Sequence, residues 1–429
     1  MVTYSNANGA SADRCELEVK FGDGQSAWVQ RVNGAPCSSD FPNCDHCGEN
    51  INGSTKINYY YIQHTYSNPG DYIISMEDPN RNSGILNVPN SVSVRMYLET
   101  KITVGVENHS VQLLDSPIQP VNNGLTFNLN AYDPDGDVLS YSLVKPKRGG
   151  GQEINGYSFV PGASIDQVSG EITIAGPLTQ GNYCLAVKIE ECRGQGIISS
   201  TIVDFNIDYS SGYLNNGEFV TGAEWTKDYF GRYSLTIMNF DTLNLDFTFV
   251  DSTIFPANNI QVFPFSEALL SSNNAVYSET VNFNNITGNI YWTPELNHVR
   301  CAPYVFSLKG VSGAFSAPQD LTLLVFVRDQ STFNCNTGCG EILSVEDTMI
   351  GEELKIAPNP VRKGESITIS SSELNGVKCE VINIQGQSQG YYRFENDQVT
   401  INTSGWPIGL YFYLIQSDGI NKTGKILVQ

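Results

Sequence analysis

Tyr183-Cys184-Leu185-Ala186-Val187-Lys188-Ile189, then Arg193-Gly194-Gln195-Gly196, then the run from Ile197 to Ile207, form the stretch on which the fold reading turns. Two apolar, β-branched-rich runs flank a glycine-bearing turn, and each is too short and too continuous for a helical period. They read as two strands. Similar runs recur outward in both directions: Cys15 to Phe21, Asp71 to Met76, Ser91 to Thr103, Tyr304 to Lys309 and Leu321 to Val327. Turn signals such as Asn68-Pro69-Gly70 separate them, at a spacing that suits antiparallel sandwiches and not βαβ units. The chain is therefore all-β, a tandem of antiparallel β-sandwiches.

A repeat divides the middle of the chain. Ser169-Gly170-Glu171-Ile172-Thr173, with Pro177, Tyr183 and Lys188 after it, recurs as Thr287-Gly288-Asn289-Ile290-Tyr291, with Pro294, Tyr304 and Lys309. The pattern reads as a glycine turn feeding a strand that a proline ends. One sandwich is placed at 110–209 and a diverged copy at 210–332, with Ser210 to Gly217 as the joint between them. An N-terminal unit fills 1–109, a Cys- and Gly-containing linker 333–350, and a last β-rich unit 351–429.

Composition narrows the function. The 429 residues hold 24 Lys+Arg against 45 Asp+Glu, a net charge of −21, with 39 Gly and 19 Pro. Binding nucleic acid through its phosphates needs a basic face, which this balance argues against. No run approaches the length of a membrane span. The first residues show neither a basic nor an apolar signal segment. Ten Cys in such a chain suggest an oxidising compartment and disulfides. Cys335 and Cys339 bracket a short loop that a disulfide would close. Cys184 and Cys192 lie at two ends of one extended run, roughly 26 Å apart at about 3.3 Å per residue, and do not reach each other.

Asp133-Pro134-Asp135-Gly136-Asp137 sets three carboxylates at alternate positions around a turn, the oxygen donors that Ca²⁺ takes. Val144 stands where an EF-hand would have its bidentate Glu, so that motif is excluded. A solvated turn is the bland reading of the same residues. Cys37, Cys44, Cys47 and His46 form a cluster with one zinc-knuckle spacing, read here as disulfides in a long loop because a second CxxC is missing. No nucleophile elbow, zinc-protease helix or P-loop occurs. Glu190 and Glu191 point to opposite faces of a strand and do not make a glycosidase pair. The chain is read as non-enzymatic. Tyr59-Tyr60-Tyr61 and Trp225, Tyr229, Phe230 and Tyr233 are aromatic candidates for sugar stacking, against the commoner role of core packing.

Two resemblances add to this reading. Phe21-Gly22-Asp23-Gly24 and His64-Thr65-Tyr66-Ser67-Asn68-Pro69-Gly70-Asp71-Tyr72 resemble the paired signatures of PKD-like modules in bacterial surface proteins. Ala131 to Asp137 with Leu139-Ser140-Tyr141 resembles the cadherin-like or Ig-like module that often follows. That family has more strand before its G-D-G turn, which implies that the true start, signal included, is missing. Pro358-Asn359-Pro360, Asn383-Ile384-Gln385-Gly386-Gln387, Trp406-Pro407-Ile408-Gly409-Leu410-Tyr411 and Lys425-Ile426-Leu427-Val428 resemble the C-terminal sorting domain of the type IX secretion system. Asn383 and Trp406 depart mildly from the usual Asp and Leu. The resemblance implies a Bacteroidota protein, exported to the extracellular or outer-membrane surface. Its implied partners are the translocon and outer-membrane sorting components, with surface lipopolysaccharide, glycans or other surface proteins beyond them. The role implied is adhesive, structural or gliding-associated; the alternatives are the ancillary region of a larger secreted hydrolase and a glycan-binding protein.

Overall fold

The computed structural model describes residues 1–6, 13–36, 44–51, 55–116, 119–121, 125–194, 196–210, 217–228, 230–251, 260–270, 273–312, 317–329, 355–370, 375–383, 388–417 and 420–428. Compact units span Met1–Gly340 and Glu341–Gln429. Among the described residues, regular structure is β-strand apart from three short 3₁₀ turns.

Strand formation obeys the alternation of side chains. In Glu16–Lys20, Leu17 and Val19 are buried while Glu16 and Lys20 face water. With Phe21, Val29, Tyr60 and Met76 they form the first core. Its strands Ser26–Gln30, Glu16–Lys20, Gly70–Asp78 and Met96–Val104 lie side by side, and a separate sheet joins Val2–Asn6, Thr55–Tyr59 and Glu49–Asn50.

The hairpin expected around Arg193-Gly194 is present as Gly181–Arg193 and Gly196–Tyr209, with Gly194 at φ +64° in its turn. Leu185, Val187 and Ile189 enter the second core, opposite Phe127, Ile172 and Ile174. The long strand is apolar on both faces because its other face is also covered. Cys184 lies under Ile85, Val88 and Ile154, and the Asn87 side chain exchanges two 2.9 Å hydrogen bonds with the Cys184 backbone.

The boundary expected at 109/110 is crossed by one sheet. Gly196–Tyr209 pairs with Met96–Val104 through Ser199–Ile102, Ser200–Lys101 and Thr201–Thr100, so the first two sandwiches share a ten-stranded sheet. Alternation shows which face of a strand is buried but not which strand lies beside it. The pairing was therefore not readable from these runs.

The third sandwich stacks Gly217–Thr221, Leu243–Asp251, Asn285–Trp292 and Val276–Val281 against Tyr233–Met238, Gln319–Arg328, Tyr304–Ser312 and Ile260–Phe265. Phe247, Phe249, Trp292 and Phe306 fill its core, each stabilising the fold by roughly 1.5–3 kcal/mol on burial. Gly288 differs from the expected turn glycine. It sits inside strand Asn285–Trp292, where a Cβ would stand 2.2 Å from the Phe247 ring. Buried contacts tie this sandwich to the second: Ala317 packs into the second core, the Asn128 amide donates to Asp320 at 2.9 Å, and Lys309 pairs with Asp115.

The unit Glu341–Gln429 has two sheets, one of Lys355–Ala357, Ser366–Ser370 and Gln398–Asn402, the other of Ser388–Arg393, Lys378–Asn383, Gly409–Ser417 and Ile420–Val428. Ile367, Ile369, Val381, Ile401, Tyr413 and Ile426 are among its core residues. The segments 211–216 and 333–350, read as joint and linker, lie outside the described residues.

Candidate functional site

The turn Asp133–Asp137 leaves strand Ala131–Tyr132 and enters Val138–Val144. Its three carboxylates each bring one oxygen within 4.8 Å of the others. Asp133 Oδ1 accepts from the amides of Asp135 at 2.9 Å and Asp137 at 3.0 Å, which shapes the turn. Asp133 Oδ2 is buried with no hydrogen-bond partner. Burial, with Glu191 and Asp137 nearby, pushes Asp133 up to about 6. For Asp135 burial acts upward as well, but the backbone and ring of His109 outweigh it and hold the group below its usual range. His109 is raised in turn by its bond to Asp135.

Residues that sequence reasoning did not assign to this turn complete the site. Arg193 forks onto Asp137 at 2.8 and 2.6 Å. Glu191, fully buried, accepts from Asn108 at 2.6 Å and from the Val111 amide at 2.8 Å. The register Val138–Cys192 brings the end of the long strand beside the turn. Because that register is non-local, the only local signal was the charge cluster Glu190-Glu191-Arg193 at the strand end.

The cysteines resolve in part. Cys44 is bonded to Cys15, 29 residues earlier and 5.1 Å away between Cα atoms. Cys15 was missing from the expected set because it stands alone in sequence. Cys47, Cys192 and Cys301 are disulfide-bonded as well, so Cys44 and Cys47 are not zinc ligands. Cys184 is free and buried. Cys37, Cys335 and Cys339 lie outside the described residues.

The aromatic candidates divide between core and surface. Trp225 is a core residue whose Nε1 donates to the Asp246 carbonyl at 2.8 Å, and Tyr60 is buried. Neither offers a stacking face. Tyr59, Tyr61 and Phe230 are exposed, Tyr233 packs on the third core, and Tyr229 lies outside the described residues. Each histidine makes a local contact. His64 stacks on Phe21 at 3.9 Å and bonds Asp23 at 2.8 Å. His298 accepts from the Glu295 amide, and His46 Nδ1 lies 3.0 Å from the Gly34 carbonyl.

In the last unit the resemblance motifs fall at turns and strand pairs. Pro358, Asn359 and Pro360 form an exposed bend after Lys355–Ala357. Asn383 pairs with Tyr411, Gly409 with Val428, and Phe412 with Lys425. Trp406 stacks on Tyr411 at 4.7 Å, and the Tyr411 hydroxyl donates to the Pro407 carbonyl at 2.7 Å. Gly386 lies outside the described residues. Residues 355–429 match the secretion system C-terminal sorting domain. A sorting domain of this kind marks an exported chain, carried by the type IX secretion system to the cell surface or the extracellular space, and implies contact with that machinery. Among the described residues no helix is long and apolar enough to cross a membrane.

No curated protein matches the chain. Among solved structures, the insect immune protein hemolin is 12% identical, with 100% of this chain and 95% of hemolin covered and a TM-score of 0.17. Protocadherin gammaB7 EC3-6 is 12% identical over 73% of this chain and 72% of its own, with a TM-score of 0.18. At such scores these likenesses carry no argument. The sandwich architecture rests on the strand pairing itself.

Proposed function

We propose that the chain is a non-enzymatic protein displayed at the surface of a Bacteroidota cell or released from it, with an adhesive or structural role. In this reading PKD-like and cadherin- or Ig-like modules form a stiff scaffold behind a cleavable sorting domain. The sorting domain carries the proposal. The shared ten-stranded sheet supports it, because sandwiches joined edge to edge by backbone hydrogen bonds resist hinge motion better than modules on a flexible linker. The translocon, the outer-membrane sorting components and surface lipopolysaccharide are the partners in this account. Deletion of 351–429 tests it. The truncated chain is expected in the periplasm, found by fractionation and by loss of whole-cell antibody labelling. Surface labelling equal to that of the full chain would overturn the export route.

A further inference from the structure

The guanidinium of Arg193 sits in a shell made only of oxygen. Asp137 Oδ1 and Oδ2 lie at 2.8 and 2.6 Å, the Glu107 carbonyl at 2.8 Å, Asn108 Oδ1 at 3.3 Å and Asp135 Oδ2 at 3.7 Å. Carboxylate, amide and carbonyl oxygens are the donor set of a hard cation, not of zinc or another soft metal. Beside this shell, Asp133 is 3% exposed and its Oδ2 has no partner, although a buried carboxylate oxygen left alone is costly. Its Oδ1 already holds two amides, so Oδ2 is the oxygen it has to offer.

Charge points the same way. Asp133, Asp135, Asp137 and Glu191 gather four carboxylates, and Arg193 is the one permanent cation that bonds to any of them among the described residues. Arg300, across the same turn near Gly136, is forked onto Glu267. The geometry also fits. Oxygens bound to one Ca²⁺ at 2.3–2.6 Å lie at most about 5 Å apart, and the three aspartate oxygens fall within 4.8 Å. The Arg193 side chain is 41% exposed, so it can swing into water without breaking the core.

We propose that this turn is a Ca²⁺ site, that Arg193 supplies the positive charge while the metal is absent, and that Ca²⁺ entering displaces it. Asp133, Asp135 and Asp137 are the carboxylate ligands. The Glu107 carbonyl and the Asn108 amide oxygen, released by Arg193, are the neutral ones. Both belong to the segment that leads from the first sandwich into the second, so Ca²⁺ also fastens that passage. The proposal does not depend on export or adhesion.

Titration calorimetry on the full chain tests it, with CaCl₂ as probe and controls in MgCl₂ and in NaCl of matched ionic strength. Wild type is expected to bind one Ca²⁺ with a rise in Tm. Arg193→Gln, which keeps bulk and removes the competing charge, is expected to bind at least about tenfold more tightly. Asp133→Asn keeps the turn-shaping Oδ1 and is expected to lose the Ca²⁺ response while its Tm in EDTA stays close to wild type. Asp135→Asn gives a second, exposed ligand variant with the same expected loss. No Ca²⁺ binding by wild type, unchanged affinity in Arg193→Gln, or an undiminished response in both aspartate variants would each overturn the site.

Discussion

The second and third sandwiches carry the same five-residue motif and place it in different surroundings. Ile172 and Ile290 both have no exposed surface, so the strand after the glycine serves each core alike. The glycines differ in backbone. Gly170 stands at φ +72° in a turn beside the Tyr141 ring, whereas Gly288 is in mid-strand beneath the Phe247 ring. The strands that follow the motif agree in burial and differ in what covers them. In the second sandwich the strand Gly181–Arg193 is buried on both faces, by its own core and by the segment from Arg81 to Val88. In the third, Tyr304–Ser312 is buried on both faces as well, and its Lys309 pairs with Asp115 of the second sandwich. One motif precedes two enclosed strands with different covers. The cover of the outer face is what the motif does not encode.

The largest effect is expected where that cover is fastened. Arg81 is 7% exposed; its Nη1 donates to Asp204 at 2.9 Å and its Nη2 to the Lys147 carbonyl at 3.0 Å. Arg81→Ala leaves the Asp204 carboxylate, whose side chain is 2% exposed, buried and unpaired. A loss of about 3–5 kcal/mol in urea unfolding is expected. A loss below about 1 kcal/mol, the size of a surface pair, would mean that the enclosure of the second sandwich is not held by this residue.

The two glycines sharpen the comparison at smaller scale. Gly288→Ala drives a methyl group into the Phe247 ring and is expected to cost about 1–3 kcal/mol. Gly194→Ala, at φ +64° in the hairpin turn with nothing within 4 Å, meets only the left-handed backbone penalty of about 1 kcal/mol. Equal costs for the two would show that the Phe247 side chain moves aside, and that packing does not distinguish the mid-strand glycine.

These residues also show how far the sequence could be read. The hairpin, the strands around Leu17 and Tyr304 and the turns of the sorting domain come from alternation and turn chemistry, which are local. The edge pairing of Thr100 with Thr201 joins residues 101 apart, and no period announces it. The three aspartates were legible as a turn with metal-ligand spacing. His109, Arg193 and Glu191 were not, because a register between distant strands brings them there. Trp225 resembled a stacking platform for a similar reason: its burial depends on Phe247 and Tyr233, which reach it only through the fold.

The smallest effect concerns the junction where the two compared sandwiches meet. Asp320 accepts from the Asn128 amide through Oδ2, while Oδ1 is shut off from water without a partner. Burial pushes the group up to about 7, with Asp115 and Glu171 reinforcing the rise and Lys309 opposing it. A carboxyl raised in this way keeps its proton in the folded chain at a pH where the unfolded chain has lost it. Stability from this group is therefore present below the ordinary carboxylate range, falls as pH climbs from about 4 to 7, and levels off above that. Asp320→Asn removes the charge that the junction would have to accommodate. Its Tm at pH 8 is expected to exceed wild type by about 2–4 °C, on the order of 1 kcal/mol for a unit of this size. Near pH 4 the two should coincide, and the slope between should be shallower in the variant, though not flat, because Asp133 and Glu171 are also raised. Parallel melting curves across the whole range would place the pH response of the tandem elsewhere than at this junction.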